Sequence, residues 1–439
     1  MRVLNASVRG KSFFGASFFG ASAFGERVCR HLHCCGALLL AVFLIVGVAP
    51  VWAAPGDFIH AEGTRLVDGH GDRFDVKGIN LGHWLVPEGY MFKFMRARAP
   101  TEIAGVIEAL IGPQEAARFW TEFREGFIAE EDIRFIKAAG FNTVRVPLHW
   151  RLFVESDDSG VDWFKGQGWY LLDRLVQWCR VAGLRVIIDL HAAPGGQTGV
   201  NHDDGTGFPL TFYVPRYRQL TVALWRALAA HYSNEGAILA YDLLNEPISP
   251  YSDEDYLNPR LEPLYREIVA AIRSVDTNHL VLLAGAQWST SFAVFDQPFD
   301  ANAAYSYHKF WAKPTRDAVQ SYVNFSNRWK VPVVIGETGE YDDSWNAAFR
   351  GLNERFGIGW VFWPYKSLDT GTAVVSIPKP AGWDLIADAG SGDVKTLNPD
   401  SLPPRQEALA ILNAYLEAAK FENGRVNGSY LNSLGLAAP

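Results

Sequence analysis

Eight short apolar runs, separated by amphipathic stretches of helical length, constrain the fold of this chain more than any other feature of its sequence. The runs are VKGINL (76–81), TVRVPL (143–148), RVIIDL (185–190), AYDLL (240–244), LVLLAG (280–285), AAYSYH (303–308), VPVVIGE (331–337) and GWVFWPY (359–365). Near-continuous apolar strands that alternate with helices indicate a parallel sheet covered by helices. Eight such units predict an α/β fold of the (β/α)8 TIM-barrel type.

Amphipathic segments precede most of these runs and predict the outer helices of the barrel. Between the fifth and sixth runs the sequence shows no clear helix. Before the first barrel strand, GTRLVDGHGDRFDVKG predicts a short β-hairpin with a Gly-rich turn. No Pro- or Ser-rich linker divides the chain, so a single barrel domain is expected.

The N-terminal region predicts a secretory signal that is not part of the fold. Basic residues between Arg2 and Arg30 precede the apolar run ALLLAVFLIVGVAPVWAA, which ends in the small residues Ala53 and Ala54. This order is typical of a signal peptide, here residues 1–54, and of secretion to the cell exterior or the periplasm. An uncleaved membrane anchor is the alternative, because the run approaches the length that spans a bilayer. We therefore expect the barrel over 55–421 and a loose C-terminal tail over 422–439.

Charge and cysteine content narrow the classes of function. The chain has a net charge of −8, and without residues 1–54 it has 35 basic and 47 acidic side chains, a net charge of −12. So acidic a protein is a poor binder of polyanions, and nucleic acid is not expected as a partner. After the signal only Cys179 remains, so no internal disulfide is expected, and its helix-like setting predicts a buried thiol.

Polar and aromatic side chains stand at the carboxyl ends of most predicted strands. In chain order they are Asn80, His83, Trp84, Arg145, His149, Trp150, His191, Asn245, Glu246, Tyr307, His308, Glu337 and Trp363. Active sites of TIM barrels lie at this end of the strands. Such groups are costly in a buried barrel unless they are paired or used, so the pattern predicts a polar site at the mouth.

Glu246, in YDLLNEP, and Glu337, in VVIGETG, are the strongest candidates for chemistry. They follow the fourth and seventh predicted strands, which lie on opposite sides of an eight-stranded ring, so their carboxylates can face each other. Glycoside hydrolysis uses such a pair, one carboxyl group to protonate the leaving oxygen and one to attack the anomeric carbon. A separation of about 5–5.5 Å gives retention of configuration, and one of about 6.5–9.5 Å gives inversion.

The neighbouring side chains fit supporting roles in that chemistry. Asn245 is a candidate hydrogen-bond partner of a sugar 2-hydroxyl, and Arg145 is a candidate to keep the carboxylate of the seventh strand ionised. His191 and His308 either bind sugar hydroxyls and tune the carboxylates, or are core histidines. Trp363 is either a stacking floor under a sugar or a core tryptophan.

The motifs GFNTVRVP, IIDLHAAPGG, LLNEP, YSYH, VVIGETG and GWVFWPY resemble, in this order, those of glycoside hydrolase family 5 of clan A. The resemblance covers roughly residues 58–420. It implies a (β/α)8 barrel and a retaining double displacement, with Glu246 as the acid/base and Glu337 as the nucleophile. The supporting residues that it implies are Arg145, His191, Asn245, His308 and Trp363.

Two segments, KGINLGHWLVPEG and DLHAAPGGQTGVNHDDGTG, are similar to those of the exo-β-1,3-glucanase subgroup. This similarity implies that Glu88 binds the terminal glucose, while a solvated loop residue is the other interpretation. The sequence departs from the family at Phe310, where a Tyr near the nucleophile is usual. Either Tyr307 or another hydroxyl substitutes, or the nucleophile has one hydrogen bond fewer. The long insert 91–120 is a candidate wall for a pocket closed at one end, as exo action requires.

These inferences predict a retaining β-glycoside hydrolase that acts on β-glucan, with exo-1,3-β-glucanase or β-glucosidase activity favoured. The expected partner is a polysaccharide or oligosaccharide substrate. An endo-β-1,4-glucanase or mannanase is the alternative, and a non-catalytic carbohydrate-binding protein is a remote one. No cofactor and no metal are expected, since the reaction needs two carboxylates and water, and NHDDG (201–205) is interpreted as a polar turn.

Overall fold

The predicted strands form a closed barrel. The computed structural model describes residues 58–156, 160–392 and 402–439. In chain order the strands are β1 (His60–Glu62), β2 (Arg65–Val67), β3 (Lys77–Asn80), β4 (Thr143–His149), β5 (Glu155–Ser156), β6 (Asp162–Trp163), β7 (Arg185–Ala192), β8 (Ile238–Asp242), β9 (Leu280–Ala284), β10 (Ala303–His308), β11 (Val333–Gly339), β12 (Gly359–Trp363), β13 (Lys366–Leu368), β14 (Val375–Ile377) and β15 (Arg425–Val426).

The ring runs in the order β3, β4, β7, β8, β9, β10, β11 and β12, and β12 pairs back with β3. All eight of these pairings are parallel. The prediction of a TIM barrel is therefore confirmed, and each of the eight barrel strands overlaps the run predicted for it.

Helices surround the barrel and follow the amphipathic segments. They are α1 (Pro100–Ile111), α2 (Pro113–Gly126), α3 (Glu130–Ala139), α4 (Gln167–Ala182), α5 (Leu210–Tyr213), α6 (Pro215–Tyr232), α7 (Glu254–Arg273), α8 (Ala286–Ser289), α9 (Gln320–Trp329), α10 (Asp343–Arg355), α11 (Trp383–Ser391), α12 (Arg405–Ala418) and α13 (Gly428–Ser433). Between β9 and β10 the only α-helix is the four-residue α8, in agreement with the absence of a clear helical pattern there.

Helix α3 shows how local sequence sets these boundaries. Its first turn carries three acidic side chains, which favour the positive end of the helix dipole. It ends at Gly140, which has a φ of +105°, a backbone conformation that glycine adopts without steric cost. The chain then turns directly into β4.

The inner face of the barrel changes from apolar to polar along the strands. Because side chains alternate across a strand, Ile187, Asp189 and His191 share one face of β7. Ile187 belongs to an apolar cluster with residues of β8 to β12, whereas Asp189 and His191 lie further along, towards the mouth. Polar side chains are thus collected at one end of the ring.

The N-terminal hairpin packs against the apolar end of the barrel. β1 and β2 pair antiparallel around Gly63, and Ile59 and Leu66 join the inner apolar cluster. The hairpin prediction is confirmed, although its turn precedes the Gly-rich DGHGD segment. That segment instead makes a second turn, closed by a bridge between Val67 and Arg73.

The prediction of a loose tail after residue 421 is wrong. β15 pairs antiparallel with β14, and α13 packs against α10. Tyr430 and Leu431 of α13 are fully buried. The segment is ordered because it packs against the barrel domain, and this contact buries apolar surface of both partners.

The signal-peptide prediction for residues 1–54 falls outside the described residues. Over the ranges that the structure describes, none of the helices combines the length and the apolar character required to cross a membrane. Cys179 is a buried free thiol in α4, as the sequence predicts.

Candidate active site

A cavity of about 560 Å³ opens at the carboxyl ends of the barrel strands. Seven of the eight predicted site residues line it, namely Glu88, His191, Asn245, Glu246, His308, Glu337 and Trp363. The eighth, Arg145, is fully buried and reaches Glu337 from below. The barrel thus brings together groups that are separated by up to 275 positions in the chain.

The carboxylates of Glu246 and Glu337 face each other across this cavity. An oxygen of each lies within 4.8 Å of the other and of a ring nitrogen of His308. So close an approach of two oxygens is expected when the carboxyl groups are about 5–5.5 Å apart, as in retaining glycosidases, rather than about 6.5–9.5 Å apart, as in inverting ones. The same three side chains are close enough to ligate a cation, and of them His308 and Glu246 are hydrogen-bonded to each other at 2.9 Å.

Glu246 is aimed into the cavity by an unusual backbone conformation. β8 ends at Asp242, and Glu246 follows four residues later with a φ of +45°. Such a conformation costs of order 1–3 kcal/mol for a residue other than glycine. Gln197 holds the segment in place, because its amide nitrogen donates to the carbonyls of Asn245 (2.8 Å) and His191 (2.7 Å).

Arg145 connects strands on both sides of the barrel mouth. Its guanidinium group donates to Asp242 at 2.8 Å, to the side-chain oxygens of Asn80 and Asn245 at 3.0 and 2.9 Å, and to Glu337. Asp189 lies 3.0 Å from the same guanidinium. The arrangement holds the Glu337 side chain in a defined orientation, and the sequence-predicted contact between Arg145 and Glu337 is present.

Three buried carboxylates therefore share one guanidinium group. Burial raises the pKa of Asp189 to about 7, although the charge of Arg145 opposes that rise. Burial likewise raises the pKa of Asp242 to about 6 against the same opposing charge. Neither aspartate was singled out in the sequence, where each is a lone polar residue inside an apolar run. Their negative charge raises the pKa of Arg145 despite its burial.

His308 is the main electrostatic neighbour of Glu246. Its Nδ1 lies 2.9 Å from one Glu246 oxygen and 3.7 Å from a Glu337 oxygen. Burial raises the pKa of Glu246, but the hydrogen bond and the charge of His308 outweigh burial and place that pKa below its usual value. His202, which the sequence analysis left within a polar turn, lies 3.5 Å from the other Glu246 oxygen.

His191 and Trp363 form one wall of the cavity. Their rings lie nearly parallel with centroids 5.8 Å apart, and His191 Nδ1 lies 2.8 Å from Asp189. Trp363 donates its indole N–H to the hydroxyl of Tyr90 at 2.8 Å. Gly339, with a φ of +126°, lets β11 approach this wall, since a Cβ there would meet the Trp363 carbonyl oxygen at 2.7 Å.

The rim of the cavity is acidic. Burial, and then the charges of Glu340, Glu337 and Glu246, raise the pKa of Glu88 well above its usual value. Burial also raises the pKa of Glu340 to about 7. Sequence analysis missed Glu340, which lies just beyond β11 with a φ of +52°. It is the second glutamate of GETGE (336–340), and its position directly after a predicted strand could have indicated it.

Tyr307 does not replace the tyrosine expected at Phe310. Its hydroxyl donates to Asn353 away from the cavity, and its ring stacks on Tyr322 with centroids 3.9 Å apart. Phe310 itself lines the cavity. Among the described residues no tyrosine hydroxyl donates to Glu337, so of the two alternatives the one with a hydrogen bond fewer fits the structure.

The insert 91–120 does not line the cavity, contrary to expectation. The residues that border the cavity on that side are Glu88 and Tyr90, while α1 and α2 pack against α12. The amphipathic helices of the insert bury their apolar faces against other helices. They therefore add no side chain to the cavity lining, although Thr101 at the start of α1 donates its backbone N–H to Asp204.

Comparison with known proteins places this fold and site in a family. Residues 108–369, more than half of the chain, match the family model Cellulase (glycosyl hydrolase family 5). The chain therefore belongs to glycosyl hydrolase family 5, and the resemblance noted in its motifs is confirmed.

Individual relatives match over part of their length. A beta-xylosidase of Phanerodontia chrysosporium is 30% identical over 270 residues, which are 61% of this chain and 55% of that protein. A probable glucan 1,3-beta-glucosidase A of Aspergillus fumigatus is 31% identical over 256 residues, 57% of this chain and 58% of that protein. The chain thus spans little more than half the length of these curated relatives.

A solved structure shows the same fold at lower sequence similarity. The crystal structure of a rutinosidase from Aspergillus niger matches with a TM-score of 0.55 at 19% identity. The match covers 68% of this chain and 92% of that chain. We take from it the barrel fold alone.

Proposed function

We propose that this protein is a retaining β-glycosidase that acts on β-glucan. The observation that carries the proposal is the pair of carboxylates, Glu246 and Glu337, whose oxygens lie within 4.8 Å across the cavity. Membership of glycosyl hydrolase family 5 supports the same chemistry.

In the proposed reaction Glu337 attacks the anomeric carbon while Glu246 protonates the leaving oxygen. Arg145 orients Glu337 through a charge-assisted hydrogen bond. Glu246 then removes a proton from the water that hydrolyses the glycosyl-enzyme, with overall retention of configuration. In this proposal Asn245 hydrogen-bonds the 2-hydroxyl of the sugar, and its contacts with Gln197 and Arg145 support the role by fixing its position.

Within this class we propose exo action on 1,3-linked β-glucan. The similarity to a probable glucan 1,3-beta-glucosidase supports the linkage. A cavity of about 560 Å³, bordered by Glu88, Tyr90 and Trp363, supports the recognition of a chain end. We further propose that Glu88 binds hydroxyls of the terminal sugar, because it reaches the same cavity as the two carboxylates.

Azide rescue separates the two carboxylate roles. With an activated aryl β-glucoside, Glu337→Gly is expected to yield an α-glucosyl azide, since azide takes the place of the nucleophile. Glu246→Ala is expected to yield the β-glucosyl azide, since the glycosyl-enzyme still forms. Glu267→Gln, on the outer face of α7, is the control and is expected to keep wild-type turnover. Unchanged turnover in either cavity variant would overturn the assignment.

Product analysis tests the substrate. Early release of β-glucose from laminarin, followed by NMR, is expected for retaining exo action. Mixed oligosaccharides from cellulose or mannan would contradict exo-1,3 specificity while leaving the roles of the two carboxylates intact. No product from laminarin, cellulose, mannan or an aryl β-glucoside, with folded protein, would contradict the enzymatic proposal.

A further inference from the structure

A second cavity, of about 360 Å³, lies beside the active-site cavity and has no part in the proposed reaction. It is bordered by the segment after β3, by α1 and α2, and by residues after β4. Trp84, Leu85 and Pro87 line this second cavity, whereas Glu88 and Tyr90 line the first. The segment 84–90 is therefore a shared wall.

The two cavities have opposite electrostatic character. Four glutamates line the active-site cavity. The second cavity is lined by two arginines, Arg124 and Arg151, and otherwise by apolar and aromatic side chains, Thr121 and His149, whose Nε2 lies 3.4 Å from Asp204. No described aspartate or glutamate contributes to its lining. In a chain with a net charge of −8 this is a local concentration of positive charge.

Arg124 is a partly buried cation that lacks a carboxylate partner among the described residues. Its Nε donates to the Gln167 side-chain oxygen at 2.7 Å, which leaves both Nη groups available. The buried cations Arg145 and Lys366, by contrast, each contact a carboxylate, Lys366 with Asp132 at 2.7 Å. Burial lowers the pKa of Arg124 to about 10, which still leaves it charged at neutral pH.

Arg124 is only partly buried, so its Nη groups can be reached from the cavity. A planar guanidinium with two free Nη groups matches the two oxygens of a carboxylate. Trp84 and Trp120 supply flat apolar surface in the same cavity. The volume falls within the range of small-molecule sites, roughly 300–1,000 Å³.

We propose that this second cavity binds a monocarboxylate with a flat, partly apolar body. The carboxylate pairs with Arg124, and the body of the ligand lies against the tryptophans. Two sources share this chemistry, a uronic acid residue of an acidic glycan and a free aryl carboxylate. Neither ligand takes part in the hydrolysis proposed above, so a test of one proposal does not decide the other.

Calorimetric titration of the full-length protein tests the proposal. The probes are hydrocinnamate with its neutral amide, and glucuronate with glucose. At least one acid is expected to bind roughly 10-fold more tightly than its neutral analogue, the usual effect of a charge-assisted hydrogen bond. The pair that shows the preference identifies the source of the ligand.

Three variants localise the binding. Arg124→Gln is expected to reduce the affinity for the acid to that for the neutral analogue. Arg118→Gln, the same change on α2 away from the cavity lining, is expected to keep the preference. Ala104→Phe fills the cavity from α1 without changing Arg124 and is expected to abolish binding. This variant tests the proposal if Arg124→Gln fails to fold.

The proposal is overturned if acids and neutral analogues bind equally, or if neither acid binds at millimolar concentration. It is also overturned if Arg118→Gln weakens binding of the acid as much as Arg124→Gln does, or if Ala104→Phe leaves binding intact.

Discussion

Arg145 lies among three carboxylates, and this imbalance of charge is the dominant feature of the site at the scale of single residues. One guanidinium cannot neutralise Asp189, Asp242 and Glu337 together. Burial raises the pKa values of the two aspartates to about 7 and 6, and the single guanidinium only partly opposes that rise. Glu337 keeps the closest contact with the guanidinium.

We expect this imbalance to make stability depend on pH. Because the folded pKa of Asp189 lies above the unfolded value of 3.8, the folded state binds more protons between about pH 4 and 7. The contribution is fully present below the unfolded pKa and is lost as the pH rises through 7. Urea unfolding from pH 4.5 to 8 should show a decline for the wild type and a shallower one for Asp189→Asn. Identical pH dependence in the two proteins would contradict the prediction.

We also expect His308 to set the pH profile of the reaction. His308⁺ lowers the pKa of Glu246, so His308→Asn should let burial raise that pKa. Because Glu246 acts as the acid in its protonated form, the alkaline limb of kcat/KM on an unactivated oligosaccharide should move to higher pH. His202→Gln, a change at the longer distance of 3.5 Å, should move it less. A shift to lower pH in His308→Asn would refute this role.

The sequence predicted part of this site, for identifiable reasons. Glu246 and Glu337 stand at strand ends in motifs, so position and chemistry agree. Asp189 and Asp242 are lone polar residues within IIDL and YDLL, and only the strand register brings both against Arg145. Glu340 reaches the cavity because its backbone adopts a left-handed conformation, and the sequence does not predict that conformation for a glutamate.

At the scale of elements, the barrel strands were predictable and the C-terminal helix was not. Each strand is a near-continuous apolar run bounded by helical segments, a pattern that few other folds produce. α13 has six residues, too few to be stable alone, and it forms because it docks. The direction of α1 and α2 was also unpredictable, since amphipathicity shows that a face is buried but not against which partner.

We expect α13 to stabilise the barrel mouth. Tyr430 is fully buried and its hydroxyl donates to the Trp363 carbonyl oxygen at 3.3 Å. Tyr430→Ala should lower the free energy of unfolding by about 3–5 kcal/mol, the usual cost of removing a buried aromatic ring. Tyr430→Phe keeps the ring and should lower it by only about 1 kcal/mol. Equal losses in urea unfolding would show that ring burial is not the cause.

At the scale of the whole molecule, the hairpin β1–β2 packs against the barrel at the start of the described residues. Ile59 and Leu66 are buried on the inner apolar cluster of the barrel. The described residues all belong to one compact unit, and the domain boundary at residue 55 stays a prediction.

We expect a protein that begins at residue 55 to match the full chain in unfolding free energy and activity. One that begins at residue 69 lacks the hairpin and should be less stable by about 3–6 kcal/mol, the cost of exposing the surface that two apolar side chains cover. Urea unfolding measures both. If removal of residues 1–54 costs as much as removal of the hairpin, the predicted domain boundary is wrong.

The closed ring has a consequence for how such an enzyme can be altered. Glu337 lies within β11. The backbone next to Glu246 is linked to β7 through Gln197, which donates to the carbonyls of Asn245 and His191. The distance between the two carboxylates therefore depends on the diameter of the barrel. Glu88, Tyr90, Trp311 and Glu340 instead lie on the connecting segments around the mouth. If those segments are exchanged for the corresponding segments of a relative, the substrate preference should change while the stereochemical outcome of the reaction stays the same.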